Sequence, residues 1–259
     1  MYRFDLKKER RFQQNKMAHS LKIFCDFDGT VAVNDVGRRF FETFGNEEIP
    51  KIIENLYKGI ITPRECYNRE FAALHGLTLA TFEEFVRKQA IDPHFREFVE
   101  FCRERKIDCW ILSDGFDFYI ERILARFELK DVPFFSNHLV YSIRRDSDEL
   151  LVEPQFPFTD SECDRCANCK RNHMLTLSGD DDIIVYVGDG ISDRCPVRYA
   201  DIVFAKEELV KYCQEENITY FEYRTFREVI NRLTELLGRK RLKKRWEAEV
   251  CRRDVFVQG

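Results

Sequence analysis

Leu21-Lys22-Ile23-Phe24-Cys25-Asp26-Phe27-Asp28-Gly29-Thr30 is the stretch that decides the fold. The apolar run Leu21 to Cys25 has the length of a short buried strand, and Gly29 ends it. Asp26 and Asp28 therefore stand where a strand gives way to a loop, and residues two apart in extended chain share a face. Two carboxylates converging on one spot repel each other. Unless one is protonated, a divalent cation between them is the simplest remedy. Magnesium, a hard ion that takes oxygen ligands, fits that role.

The same pattern recurs twice downstream. Ser113-Asp114-Gly115 follows the apolar residues 109–112, and Gly188-Asp189-Gly190-Ile191-Ser192-Asp193 follows residues 183–187, with Lys170 between the two motifs. Singly, each is an ordinary turn sequence. Jointly they put acids and a hydroxyl at the carboxyl ends of three strands, where open α/β sheets bind ligands. Carboxylates able to hold a cation, a hydroxyl and one Lys together describe a phosphate-transfer site.

After Thr30 the apolar spacing changes to threes and fours: Phe40, Phe41, Phe44; Ile52, Ile53, Leu56, Tyr57; Tyr67, Phe71, Leu74; Phe82, Phe85, Val86. This periodicity predicts four amphipathic helices over residues 33–91, inserted after the first strand. Asp92-Pro93 reads as the next helix start, with Asp as N-cap. Beyond it come a helix to about 106, a strand over 108–112, a helix over 116–127, β-rich stretches at 134–141 and 150–156, and a strand over 183–187. A segment at 202–204, a helix over 207–216, a strand over 219–221 and a long last helix complete the pattern. Alternation of this kind means an α/β fold, a doubly wound parallel sheet with helices on both faces. The expected organisation is a basic N-terminal tail (1–20), a core (21–32 and 92–237), a helical cap (33–91) and a basic C-terminal helix or tail (238–259).

With 259 residues and 44% hydrophobic content the chain can bury a sizeable core. It has no apolar run long enough for a membrane span. Residues 1–20 hold six basic and two acidic side chains without an apolar segment behind them, which is not the design of a secretory signal, so a cytoplasmic protein is expected. Met17 offers an alternative start. Residues 238–259 hold eight basic and three acidic side chains, so with −4 overall the body between the tails stands at −13. The run Arg239-Lys240-Arg241-Leu242-Lys243-Lys244-Arg245 reads as a solvated helix end rather than a nucleic-acid contact. Ten cysteines without an export signal, several inside apolar runs, read as reduced thiols. Among these, Cys163, Cys166 and Cys169, with His173 four further on, have ligand types and spacings compatible with a zinc or iron–sulfur site, or pack the loop as plain thiols.

The order and spacing of the Asp26, Ser113, Lys170 and Asp189 motifs resemble the haloacid dehalogenase superfamily of aspartate-nucleophile phosphatases. The stretch Ile111 to Tyr119, Ser136-Asn137-His138, Cys166-Ala167-Asn168-Cys169-Lys170 and Asp201 to Lys206 resemble its methionine-salvage group, which acts on a hydroxy-keto-methylthiopentenyl phosphate and is similar to phosphoserine phosphatases. The resemblance implies hydrolysis of a small-molecule phosphate ester with Mg2+ as cofactor. Asp26 would be the nucleophile and Asp28 the proton donor and acceptor. Ser113, the main-chain N–H groups of Asp114 and Gly115, and Lys170 would hold the phosphate. Asp26, Asp189 and the Asp28 main-chain carbonyl would bind the metal, with Asp193 orienting those ligands or Lys170. The inserted helices would be a cap that sets selectivity, with Asp35 and Arg64, beside Asn34, Arg38 and Arg69, as candidates for touching the substrate body. A phosphoserine-type enzyme, and a noncatalytic protein that associates through its Cys cluster and basic tails, are the alternatives.

Overall fold

The computed structural model describes residues 20–161, 163–239 and 241–258. The N-terminal tail and Met17 thus lie outside the described residues. Seven strands form one sheet in the order β4-β3-β2-β1-β5-β6-β7: β1 (Leu21–Cys25), β2 (Asp108–Phe116), β3 (Phe134–Ile143), β4 (Leu150–Gln155), β5 (Ile183–Gly188), β6 (Ile202–Ala205) and β7 (Phe221–Glu222). All neighbours pair in parallel except β3 with β4, which form an antiparallel hairpin at one edge. The chain builds outward from β1 through β2 and β3, then returns to lay β5 against the other side of β1. That reversal makes the carboxyl ends of β1 and β5 a topological switch point, where a crevice opens. Strand β5 is buried along its whole length, as a central parallel strand covered on both faces must be.

Four helices separate β1 from β2: α1 (Val36–Phe44), α2 (Ile49–Tyr57), α3 (Pro63–Ala72) and α4 (Leu79–Arg87). Local chemistry starts them. Asp35 caps α1 by accepting from Arg38 N–H, Thr62 with Pro63 opens α3, and Thr78 and Thr81 make a reciprocal capping box on α4. Their shared core is aromatic, with Phe40 within 6.2 Å, ring centre to ring centre, of Phe41, Phe44, Phe71, Phe82 and Phe85. The two chain crossings into this unit are tied together by an antiparallel bridge, Ala32 to Ile91.

The helical unit sits on the core through named contacts. The ring of Phe82 stacks on Phe118, 3.9 Å between centroids, and Phe71 meets Phe116 edge-on at 4.8 Å. Arg126, on the core helix α6 (Asp117–Arg126), donates to the carbonyls of Val86, Arg87 and Gln89, satisfying acceptors that the end of α4 leaves open.

The core continues with α5 (Phe95–Glu104) after the cap, then α7 (Lys170–Leu177), α8 (Glu207–Glu215), α9 (Phe226–Leu237) and α10 (Trp246–Gln258). Several boundaries differ from the sequence expectation. Helix α5 begins at Phe95 instead of Pro93, because both carboxylate oxygens of Asp92 are used in holding the fold. One accepts from His94 N–H and the other, across the molecule, from Phe226 N–H at the start of α9. The expected last helix is two, α9 and α10, and the basic run between them is partly structural. Arg245 donates to the carbonyls of Val197 and Arg198, and Arg252 pairs with Asp201. Among the described residues no helix is long and apolar enough to cross a membrane.

Glu70, on α3, is 6% exposed, and burial followed by the nearby Asp35 pushes its pKa from 4.5 up to about 7. The folded state thus holds this proton more tightly than the unfolded chain, so Glu70 contributes stability that is fully present below about pH 4.5 and is lost as pH rises toward 7. Replacing it by Gln should flatten the pH dependence of thermal unfolding over that window and raise stability at pH 8 by no more than about 3 kcal/mol. Parallel pH profiles of the two proteins would show Glu70 irrelevant.

Candidate active site

Three adjacent strands deliver the acidic motifs to one place. Asp26 directly follows β1, where its N–H bonds to Val187 O of β5 at 2.9 Å. Ser113 lies in the last turn of extension of β2, and Asp189 directly follows β5. Oxygens of Asp26, Asp189 and Asp193 lie within 4.8 Å of one another, the only such acidic, thiol or imidazole cluster among the described residues.

Lys170 enters this cluster from the first residue of α7. Its ammonium, 2% exposed, donates to Asp26 Oδ1 at 2.6 Å, Asp193 Oδ1 at 2.8 Å and Ser192 Oγ at 2.8 Å, a use of all three of its protons. Burial alone would discharge it, but Asp193, Asp26 and Asp114 hold its pKa above the ordinary lysine value. Asp193 is saturated by donors: besides Lys170, it accepts from Tyr186 OH at 2.6 Å and from the N–H groups of Asp189 and Gly190 at 2.9 and 3.1 Å. With its lone pairs so occupied, Asp193 anchors Lys170 and the Asp189 loop and has little left for a cation.

One ammonium does not balance the carboxylates. Burial, then Asp193, raises the Asp26 pKa well above the carboxylate range despite Lys170, and burial, then Asp193, pushes Asp189 up to about 7. The cluster is short of positive charge, and a divalent cation at Asp26 and Asp189 would supply it. Backbone geometry keeps that corner open. Gly29, at φ +72°, faces Asp189 so closely that a Cβ there would fall 2.3 Å from its Oδ2. Thr30 Oγ1 fixes the other oxygen of Asp189 at 2.8 Å.

Asp28 sits apart from this cluster, on the cap side. Its Oδ1 accepts from the N–H groups of Val36 and Gly37, at the start of α1, at 2.9 and 3.2 Å, and its Oδ2 from Ser113 Oγ at 3.2 Å and Tyr119 OH at 3.4 Å. Burial, then Asp35, pushes its pKa up to about 7. Two buried acids two residues apart thus face different partners: Asp26 an ammonium, Asp28 neutral donors. Divergent surroundings of this kind hold two carboxyl groups to different tasks.

The helix start expected at Gly115 needs correction. Strand β2 runs on to Phe116 and α6 begins at Asp117, two residues later than a helix start at Gly115 requires. Gly115 N–H closes back on Ser113 Oγ at 2.9 Å instead of pointing into the crevice. The Asp114 carboxylate accepts from Asn168 N–H at 3.0 Å, so it positions the loop that carries Lys170. Asn168, which the sequence reading passed over, is the hub of that loop: its Nδ2 bridges Ser113 O and Phe135 O, and its Oδ1 meets His173 Nε2 at 2.8 Å. His173 is thereby committed to Asn168 and to packing on Phe135 and Phe158, and among the described residues no three of Cys163, Cys166, Cys169 and His173 bring ligand atoms within 4.8 Å of one another. Tyr119 and Tyr186 were also missed, since a tyrosine within an apolar helix or strand carries no sequence signal of its polar tip.

Around the cap, Asp35 caps α1, Asn34 accepts from Arg39, Arg38 pairs with Glu42 and Arg69 pairs with Glu65. Arg64 has no ion pair with the described residues. Removing the Lys170 ammonium should be costly, because it leaves buried carboxylates unpaired. Lys170→Met is expected to lower unfolding free energy by about 3 to 5 kcal/mol in denaturant titration, and a change within 1 kcal/mol would contradict the buried network.

Residues 21–228 match the sequence profile of the family described as "Putative Phosphatase". The 2-hydroxy-3-keto-5-methylthiopentenyl-1-phosphate phosphatase of Bacillus mycoides (strain KBAB4) is 29% identical over 84% of this chain and 98% of its own length. The enzyme of that name from Brevibacillus brevis (strain 47 / JCM 6285 / NBRC 100599) is 30% identical over 85% and 98%. Among solved structures, a phospho-aspartyl intermediate analogue of phosphoserine phosphatase superposes with a TM-score of 0.60 at 19% identity, covering 83% of this chain and 99% of that one. Phosphoserine phosphatase from T. onnurineus gives 0.60 at 18%, over 84% and 96%. With the parallel sheet, the switch-point carboxylates and the full-length relatives in agreement, the chain belongs to this phosphatase family of the haloacid dehalogenase superfamily and is a phosphoric monoester hydrolase.

Proposed function

We propose that the chain hydrolyses the phosphate ester of a small methylthio-substituted keto-enol, the methionine-salvage reaction, with Asp26 as nucleophile and Asp28 as proton carrier. The substrate assignment is carried by relatives of that name that match over nearly their whole length. An aromatic wall favours an apolar substrate body: Tyr67 lies 5.1 Å from Phe116 between ring centres, and burial first, then nearby acids that include Asp28, raises the phenols of both Tyr67 and Tyr119.

Phosphate monoesters resist attack because their oxygens repel a nucleophile, so a catalyst must neutralise that charge and hold attacker and leaving group in line. Lys170, already touching Asp26 Oδ1, would bind a phosphoryl oxygen beside the nucleophile. Asp26 and Asp189, with the Asp28 carbonyl, are the groups that would hold Mg2+, which when bound shields the phosphate charge. Asp26 would displace the alcohol and become an acyl phosphate, splitting one difficult displacement into two. Asp28, with its raised pKa, would give its proton to the departing alcohol and then take one from the water that attacks the acyl phosphate. Ser113, whose hydroxyl lies between Gly115 N–H and Asp28, would turn toward the phosphoryl group. The ten unpaired thiols suit a reducing, cytoplasmic setting.

Kinetics divide these roles. Asp26→Asn should abolish hydrolysis of p-nitrophenyl phosphate, and Asp28→Asn should lower kcat on an alkyl ester by about 100-fold to 10,000-fold. The loss should be smaller with p-nitrophenol, a good leaving group that needs no proton. Equal losses on both esters would remove Asp28 from the acid role. In a panel of esters, kcat/KM should be highest for the methylthio keto-enol phosphate, and a preference for phosphoserine would overturn the substrate assignment. Arg64→Ala should raise KM for the preferred ester while leaving p-nitrophenyl phosphate turnover intact, and an equal effect on both would take Arg64 out of the substrate site.

A further inference from the structure

The loop that delivers Lys170 carries chemistry that phosphoryl transfer does not use. Cys166 and Cys169 stand side by side, the Cys166 thiol donating a hydrogen bond to the Cys169 sulfur. Cys169 is the residue preceding α7, so its sulfur lies at the amino end of that helix, next to Lys170 in the chain. Between the two cysteines sits Asn168, whose side chain ties the loop to Ser113 and Phe135. Cys163 and Cys195 are close enough for their charges to act on this pair or on each other. Among the described residues no three of these sulfur atoms come within 4.8 Å of one another, so the loop presents a pair rather than a metal cage.

We propose that Cys166 and Cys169 are a peroxide-sensitive dithiol whose oxidation to a disulfide displaces Lys170 and switches the phosphatase off. The Cys166 hydrogen bond, against burial and with help from Arg171, favours the Cys169 thiolate and brings its pKa down to about 7, whereas the Cys166 thiol is held protonated. Thiolate, not thiol, is the attacking form. Cys169 is only 4% exposed, which selects a small hydroperoxide over a bulky disulfide as oxidant.

The Cys169 sulfur attacks one peroxide oxygen, the O–O bond breaks, hydroxide leaves and the sulfur becomes a sulfenic acid. Cys166 then attacks that sulfur, the S–O bond breaks, a second hydroxide leaves, and the Cys166 proton goes to water. Two thiols are oxidised, one hydrogen peroxide is reduced to two waters, and external thiol reverses the change. Drawing two sulfurs from hydrogen-bond contact to a covalent bond tightens the turn around Asn168. Displacement of a catalytic group by about 1 Å costs on the order of 100-fold in rate, and Lys170 is the next residue.

The test is treatment of the reduced full-length protein with hydrogen peroxide, read by peptide mapping and by p-nitrophenyl phosphate turnover. Trypsin releases Cys166-Ala167-Asn168-Cys169-Lys170, which should appear about 2 Da lighter without reductant. Turnover should fall by about tenfold to 100-fold and return with dithiothreitol. Cys169→Ala should keep its activity and resist peroxide, and Cys166→Ala should be inactivated without recovery, since its sulfenic acid has no partner. The proposal is overturned by a disulfide that leaves turnover unchanged, by peroxide loss at the wild-type rate in Cys169→Ala, or by stoichiometric zinc on these thiols in the purified protein. The effect on turnover rests on the phosphatase reading. The peptide map does not, so a protein inactive on every ester would still reveal whether the pair forms, and Cys169→Ser serves if the alanine variant fails to fold.

Discussion

A single buried ammonium organises this molecule. Lys170 is buried away from water, so its three protons must all find acceptors, and the fold supplies them from two separate segments: Asp26 after β1, and Ser192 and Asp193 after β5. A charge held this way is stable only while every partner stays in place. Asp193 is accordingly bound by four donors, and Asn168 and Asp114 fix the loop on which Lys170 arrives. The arrangement is costly to bury and still short of positive charge. A phosphate dianion would worsen that shortage unless a dication came with it, and for this reason the carboxylates at 26 and 189 and the lysine read as one site.

The cap plays the complementary part. Asp28 stands two residues from Asp26 but is bonded to the start of α1 through Val36 and Gly37, so Asp28 is held by the first cap helix while Asp26 is held by the sheet. Stacking of Phe82 on Phe118 and the edge-on contact of Phe71 with Phe116 fix that cap on the core. Position of the cap, and with it the surroundings of Asp28, depends on this packing.

What could be read from residues alone was governed by range. Strand ends at Asp26, Ser113 and Asp189 were legible because a short apolar run followed by Asp or Ser and Gly is a local signal, and the four cap helices because Phe and Ile recur at helical spacing. Helix α7 was not: Lys170-Arg171-Asn172-His173 has no amphipathic stripe, and it is helical because Asn168 and Lys170 are bound to distant strands. The edge hairpin β3–β4 showed as β-rich without its pairing, which depends on register across the turn. Asp92 looked like a helix cap since Asp-Pro usually is one, yet its second oxygen is taken by Phe226 N–H, 134 residues away. The candidate ligand His173 had the right spacing from Cys169, but its ring went to Asn168 and two phenylalanines. Spacing along the chain cannot report such partners.

The account turns on covalent bonding of phosphorus to Asp26. Rapid acid quench of the enzyme with a phosphate ester, followed by borohydride, reduces an acyl phosphate to the alcohol and marks the residue that carried it. Mass spectrometry should find the aspartate at position 26 converted to homoserine in the presence of substrate and nowhere else in the chain. An unmodified Asp26 under conditions of steady turnover, or the mark on Asp28 or Asp189, would contradict it.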